Sequence, residues 1–261
     1  MIRAMWSAAT GMNAQELVID TVGNNLANVS TTGFKKSRAN FEDLFYATYR
    51  DKGTATSTGG TVPVGIQVGL GTAPTSVQKI FLQGDYIETK NELDLTIEGN
   101  GFFQLMTDDG QEVYTRDGSF NKDSDGYIVN SRGERLQPDF AIPADTASIT
   151  IAKNGDITCL SSGGDTLATG QIPIYIFTNP AGLKSIGKNE YVATPSSGDA
   201  IQGVAGTQNY GTIAQGYLEN SNVDAIEEMI NMIVGQRAYE MNSKTIQTAS
   251  AMLQVVSNLA R

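Results

Sequence analysis

Each end of the chain carries an apolar seven-residue repeat that nothing between them matches, and this decides what the sequence can fold into. Met5, Met12, Ile19 and Leu26 recur every seven residues, and Ala8, Val22 and Val29 supply most of a second row three positions later. That is the seam of a helix that needs a partner helix. Gln15 interrupts the second row, and Asn28 to Gly33 carries the chain out of the helix, with Gly33 able to take the left-handed conformation that ends one. The matching helix lies at the other terminus. Ser221 with Asp224 three residues on reads as a capping box. Ile226, Met229, Ile230 and Ile233 then open an apolar face, and Tyr239, Ile246, Leu253 and Ala260 continue it at seven-residue spacing, with Ala249 and Val256 between. Asp224, Glu227 and Glu228 sit where the helix dipole favours acid, and Arg261 where it favours base. At 1.5 Å per residue the two helices reach roughly 40 and 55 Å, too long for a small globular core to cover, so they must cover each other.

Between them the pattern changes. Phe41, Leu44, Phe45, Thr48 and Tyr49 fall at helical spacing and predict a short helix with three aromatics on one face. Thr54 to Thr61 is small and polar and reads as an extended or mobile loop. From Val62 onward short apolar alternations take over. Ile66, Val68 and Leu70 predict a half-buried strand, and Leu95 with Ile97, Ile149 with Ile151, Ile157 with Cys159, and Ile172, Ile174 and Ile176 predict others. Asp109-Gly110, Asp117-Gly118, Asp125-Gly126 and Asn154-Gly155 mark hairpins, because these pairs accept the positive φ of type I′ turns. The expected fold class is α+β, with paired N- and C-terminal coiled-coil helices flanking an inserted, mainly antiparallel β body. Three regions follow: 1–33 with 219–261 as the helical domain, 34–95 with 211–218 as a connecting region, and 96–210 as an outer β domain.

Composition narrows the chemistry. A net charge of −10 and a pI near 4.5 oppose nucleic-acid binding, which needs a basic stripe to displace counterions. Histidine is absent, which excludes Ser-His-Asp and Cys-His catalysis, and the single Cys159 excludes an intrachain disulfide and thiolate zinc sites. Arg3 precedes only a brief apolar patch that Thr10, Asn13, Gln15 and Glu16 break, so neither a cleaved secretory signal nor a membrane span is expected. Asn121 to Gly126 imitates half of a calcium loop, but Arg132 stands where a bidentate Glu is required, so a hairpin turn is the better reading. The acidic pairs Asp108-Asp109 and Glu227-Glu228 are sequence neighbours and cannot face each other across a glycosidase cleft. Gly65, Gly69 and Gly71 lack dinucleotide-binding spacing. Cys159 reads as a small buried side chain. Arg237 and Glu240 suit equally an intersubunit bridge and a solvated face. No catalytic, metal or cofactor site is assembled.

A single pair of helices leaves much apolar surface in water, at a cost of ~25 cal/mol per Å². Other copies of the chain are the expected cover, and the residues assigned to that packing are Met5, Met12, Ile19, Val22, Leu26, Ile226, Ile230, Ile233, Tyr239, Ile246, Leu253 and Val256.

Asn24 to Phe34 resembles the N-terminal motif of bacterial flagellar rod and hook proteins. Glu219-Asn220-Ser221-Asn222-Val223, with Gln236 to Lys244, resembles their C-terminal motif. Gly99 to Phe103 and Tyr114 to Phe120 look like the family's β-domain motif, and Phe41 to Leu44 with the stretch to Pro63 is similar to the segment marking its distal-rod members. The resemblance implies a helical homopolymer exported by the flagellum-specific type III apparatus. Its implied neighbours are proximal rod and hook subunits and the peptidoglycan and outer-membrane ring proteins, at a periplasm-spanning location. It implies no cofactor, nucleic acid or membrane insertion. Proximal rod and hook subunits, and a rod-associated peptidoglycan hydrolase, are the alternatives. Phe41, Phe45, Tyr46, Tyr49 and Pro63 carry the rod-specific stretch, for which the family implies a role in rod straightness.

Overall fold

The computed structural model describes residues 2–52, 63–107 and 109–259. Thr54 to Thr61, Asp108, Ala260 and Arg261 therefore lie outside the described residues. The chain divides into two compact units, one of Met1–Leu26, Ser37–Gln78 and Asp224–Arg261, the other of Ala27–Lys36 and Lys79–Val223.

The first unit is built on two long helices, α1 (Ile2–Ala27) and α2 (Ala225–Leu259). Asp224 caps α2, its Oδ1 accepting from the backbone N–H of Ile226 at 2.8 Å and of Glu227 at 3.3 Å. The cap thus sits three residues later than the capping-box reading placed it, because a carboxylate so positioned satisfies the second and third orphan donors itself. Ser221 instead accepts from the N–H of Val223 at 3.3 Å.

The predicted short helix over Phe41 to Tyr49 is absent. Ser37–Asp43 is a strand beside Thr72–Lys79, and Tyr46–Arg50 pairs antiparallel with Ile66–Gly69, Tyr46 opposite Gly69 and Ala47 opposite Val68. Aromatic and β-branched residues favour a pleated ribbon, and over so short a run helical spacing does not discriminate. The strand predicted around Ile66 is present, but Ile66, Val68 and Leu70 are exposed rather than half-buried.

The second unit is almost entirely β. A seven-stranded sheet runs in the order Lys184–Gly187, Glu190–Val192, Glu112–Thr115, Phe103–Met106, Arg135–Leu136, Ile128–Val129 and Asn121–Lys122. A three-stranded sheet sets Ile149 opposite Cys159 and Ile151 opposite Ile157. Asp125-Gly126 and Asn154-Gly155 close hairpins as expected, their glycines at φ 89° and 85°. Asp117-Gly118 does not. Its neighbouring strands are not paired with each other, Gly118 is not left-handed, and a Cβ there would sit 1.6 Å from the carbonyl oxygen of Leu95.

Alternate side chains of the same strands feed two cores. Phe103, Val113 and Ile174 enter a mainly aliphatic cluster with Leu95, Ile97 and Cys159, while their neighbours Phe102, Tyr114 and Tyr175 enter an aromatic one with Phe177 and Tyr191. The strand period of two makes this separation automatic.

Candidate functional site

Three features stand out: the helix pair, the ribbon beside it, and a buried ionic joint in the β unit.

In the first unit α1 and α2 meet antiparallel. Asn25 Nδ2 donates to Glu228 Oε2 at 3.2 Å. A Cβ on Gly235 would lie 3.2 Å from Ile19 Cγ1, and one on Gly11 would lie 2.9 Å from Asn242 Nδ2. Ala4 and Ala249 line one groove of about 530 Å³ together with Met241 and Met252. The seam on α2 is therefore Glu228, Gly235, Asn242 and Ala249, and small or polar residues let the backbones approach. Asn25 fastens the end of α1 by exchanging hydrogen bonds with Ser37, its Nδ2 donating to the Ser37 carbonyl and its Oδ1 accepting from the Ser37 N–H, both at 2.9 Å.

The assigned packing residues fall into three sets. Val22 is buried, and Met5, Met12, Ile19, Leu26, Ile246 and Leu253 are half-buried. Ile226, Ile230, Ile233, Tyr239 and Val256 are exposed, Ile226 to 67%. The strongest hydrophobic run of α2 thus does not face α1. Of the rod-specific stretch, Phe41 is half-buried, while Phe45, Tyr46, Tyr49 and Pro63 are exposed. Arg3 reaches this ribbon, donating to the Tyr49 hydroxyl with its guanidinium 5.1 Å from the ring centre. A Cβ on Gly71 would lie 2.2 Å from Thr10 Oγ1, so α1 and the ribbon's base are in close contact.

The joint in the second unit was not foreseen. Glu219, with its carboxylate buried, accepts from Lys35 Nζ, from the N–H of Gly84 at 3.0 Å and from Arg116 Nη1 at 3.4 Å. Arg116 also donates to the carbonyls of Gly99 at 2.7 Å and Ile97 at 3.3 Å, and Lys35 to that of Leu82 at 2.7 Å. Burial pulls both cations below their ordinary pKa, against the raising effect of Glu219. Around this core the N–H of Gly33 donates to the Glu219 carbonyl at 2.8 Å. Asn222 accepts from the N–H of Lys36 at 2.7 Å and donates to the carbonyls of Ile80 and Leu82. Thr32 donates to Asp117 at 3.1 Å. Gly33 is left-handed, at φ 66°, and a Cβ there would lie 2.7 Å from the Asp117 nitrogen.

Parts of the three stretches singled out by motif thus converge on one place, Thr32 to Phe34, Arg116 with Asp117, and Glu219 with Asn222, joined by Lys35 and Lys36 just beyond the first. The donors here go to main-chain carbonyls and to the Glu219 and Asp117 carboxylates, and Arg116 Nε alone of its guanidinium nitrogens has no partner. Cys159 is fully buried, and burial pushes its thiol up. Among the described residues no cluster of three or more acidic or thiol side chains is placed to hold a metal, and no helix is long and apolar enough to cross a membrane.

Such an arrangement, two chain ends tied into one β unit and carrying helices with an open apolar face, defines an architectural subunit. Comparison with known proteins names the class. A family model for flagella basal body rod proteins matches residues 5–35, one for the flagellar hook protein FlgE/F/G D1 domain matches 96–159, and one for the flagellar basal body rod FlgEFG protein C-terminal region matches 214–259. The flagellar basal-body rod protein FlgG of Borreliella burgdorferi is 46% identical over the full length of both chains. That of Bacillus subtilis is 38% identical over the full length of both, while the flagellar hook-basal body complex protein FlhP of the same organism is 30% identical over 99% of this chain and 100% of its own. This chain belongs to the flagellar basal-body rod protein family.

Proposed function

We propose that this protein is a non-catalytic, self-assembling subunit of the flagellar distal rod, the shaft that carries torque from motor to hook. The observation that carries the reading is the exposed apolar run Ile226, Met229, Ile230, Ile233 and Val234 on a well-capped helix, a surface that neighbouring copies would cover. In this reading residues 1–33 and 219–261 form the inner helical tube, 34–95 and 211–218 the connecting layer, and 96–210 the outward β domain. The corresponding partners are further copies of itself, proximal rod and hook subunits, the ring proteins and the export apparatus. In this reading the stretch from Tyr46 to Pro63 contacts neighbouring subunits and resists sliding between them.

Concentrating the purified protein and following it by sedimentation and electron microscopy tests this. Straight tubes are expected, whereas a monomer at every concentration overturns the reading. Clearing of cell-wall substrate in a zymogram would overturn its non-catalytic half.

A further inference from the structure

Among the described residues Phe45 is the most exposed large hydrophobic side chain, at 88%. Its backbone is nevertheless held on both sides: the N–H of Leu44 donates to the Gly71 carbonyl at 2.9 Å, and the Phe45 carbonyl accepts from the N–H of Leu70 at 3.1 Å. A ring displayed from a fixed backbone has met part of its ordering cost before binding. Glu42 and Asp43 precede it and make its surroundings negative.

The β unit holds a cavity with the opposite character. It has a volume of about 330 Å³ and is walled by Phe81, Phe102, Phe177 and Pro180, with Arg116 at one side. That volume lies at the bottom of the ~300–1,000 Å³ range of ligand sites, a size suited to one side chain. Phe102 already meets Phe81 and Phe177 edge-on at 5.4 and 5.6 Å between ring centres, and a further ring extends the same geometry. Arg116 and Lys35 share one buried carboxylate, Glu219, and Arg116 Nε has no hydrogen-bond partner. Arg116 is the charged side chain that lines the cavity, a cation complementary to an aromatic residue flanked by acids.

We propose that Phe45 of one copy occupies this socket on another copy, with Glu42 and Asp43 at its rim. Knob and socket are different surfaces of one chain, so the contact is heterologous and builds open arrays rather than closed dimers. The inference rests on the subunit reading above and supplies one of its specific contacts.

A benzophenone-bearing phenylalanine analogue at position 45, in polymers mixed from isotopically light and heavy copies, tests it. Irradiation is expected to give light–heavy adducts mapping to residues 100–102 and 176–180. Thr178→Trp, at an exposed rim position, should cut that adduct about tenfold, the loss that weakening one anchor by about 1.4 kcal/mol produces, without changing the circular dichroism. Adducts within one copy, or between copies at other segments, overturn the contact while leaving the subunit reading intact. A wild-type chain that never polymerises overturns both.

Discussion

The helix pair and the β unit solve the same problem differently. In the β unit, residues such as Phe103, Ile174 and Ile213 are sealed from water, and even the ionic joint is buried and partnered. In the helix pair Ile19 and Asn25 of α1 meet Gly235 and Glu228 of α2, with Gly11 beside Asn242, while larger hydrophobic side chains of α2 such as Ile226 and Ile230 are exposed. The small and polar residues on the α2 side contribute little apolar area to that contact. One region covers its own apolar side chains, and the other leaves many of its own exposed.

The sharpest way to break that contrast is to remove Ile246 to Arg261. Polymerisation should be lost entirely, by sedimentation, while circular dichroism retains the β signal. Collapse of the β signal would show that the two regions depend on each other. Next in size is Glu219→Gln, which leaves Lys35 and Arg116 buried without their anion. Stripping one partner from such a group costs about 3–5 kcal/mol, read as a lowered denaturant midpoint for the β unit.

Alkaline titration gives a smaller effect of defined sign. Burial first, then Glu112, pushes the Tyr114 hydroxyl up to about 12, and burial also raises Tyr191. A phenol whose folded pKa exceeds the unfolded 10.0 binds its proton more tightly when folded. Its contribution is complete below pH 10 and is lost as pH climbs towards 12. Tyr114→Phe should therefore shift alkaline unfolding upward, and an unchanged midpoint would show that the aromatic core does not report on this transition. Smallest for the fold is Ile230→Asn: an exposed site should change stability by within about 0.5 kcal/mol, yet the variant should assemble poorly. Normal polymers from it would remove that face from the interface.

The two helices were legible because their period persists for many turns, far longer than chance alternation. Their facing was not. The repeats mark apolar positions on both helices, but the α2 side of the intrachain contact runs through Glu228, Gly235, Asn242 and Ala249, of which only Ala249 lies in the apolar repeat. The Phe41 to Tyr49 stretch failed for a related reason, since three aromatics at helical spacing also alternate adequately in two short strands, and the pairing with Ile66–Gly69 decided the matter. Asp117-Gly118 fits a turn by composition, while in the fold the glycine admits the Leu95 carbonyl. The motifs flanking Lys35, Arg116 and Glu219 were visible as text. Their meaning as a single joint was not, because the three residues are separated by most of the chain and only the β topology brings them together.

The two-sided use of stretches such as Phe102 with the strand Phe103–Met106 has a cost in tolerance. Removing one residue there would swap which ring enters which layer all along the strand, sending phenylalanine bulk into a space shaped for isoleucine and the reverse. The β unit should therefore accept conservative replacements at these positions far more readily than any change in the spacing between them.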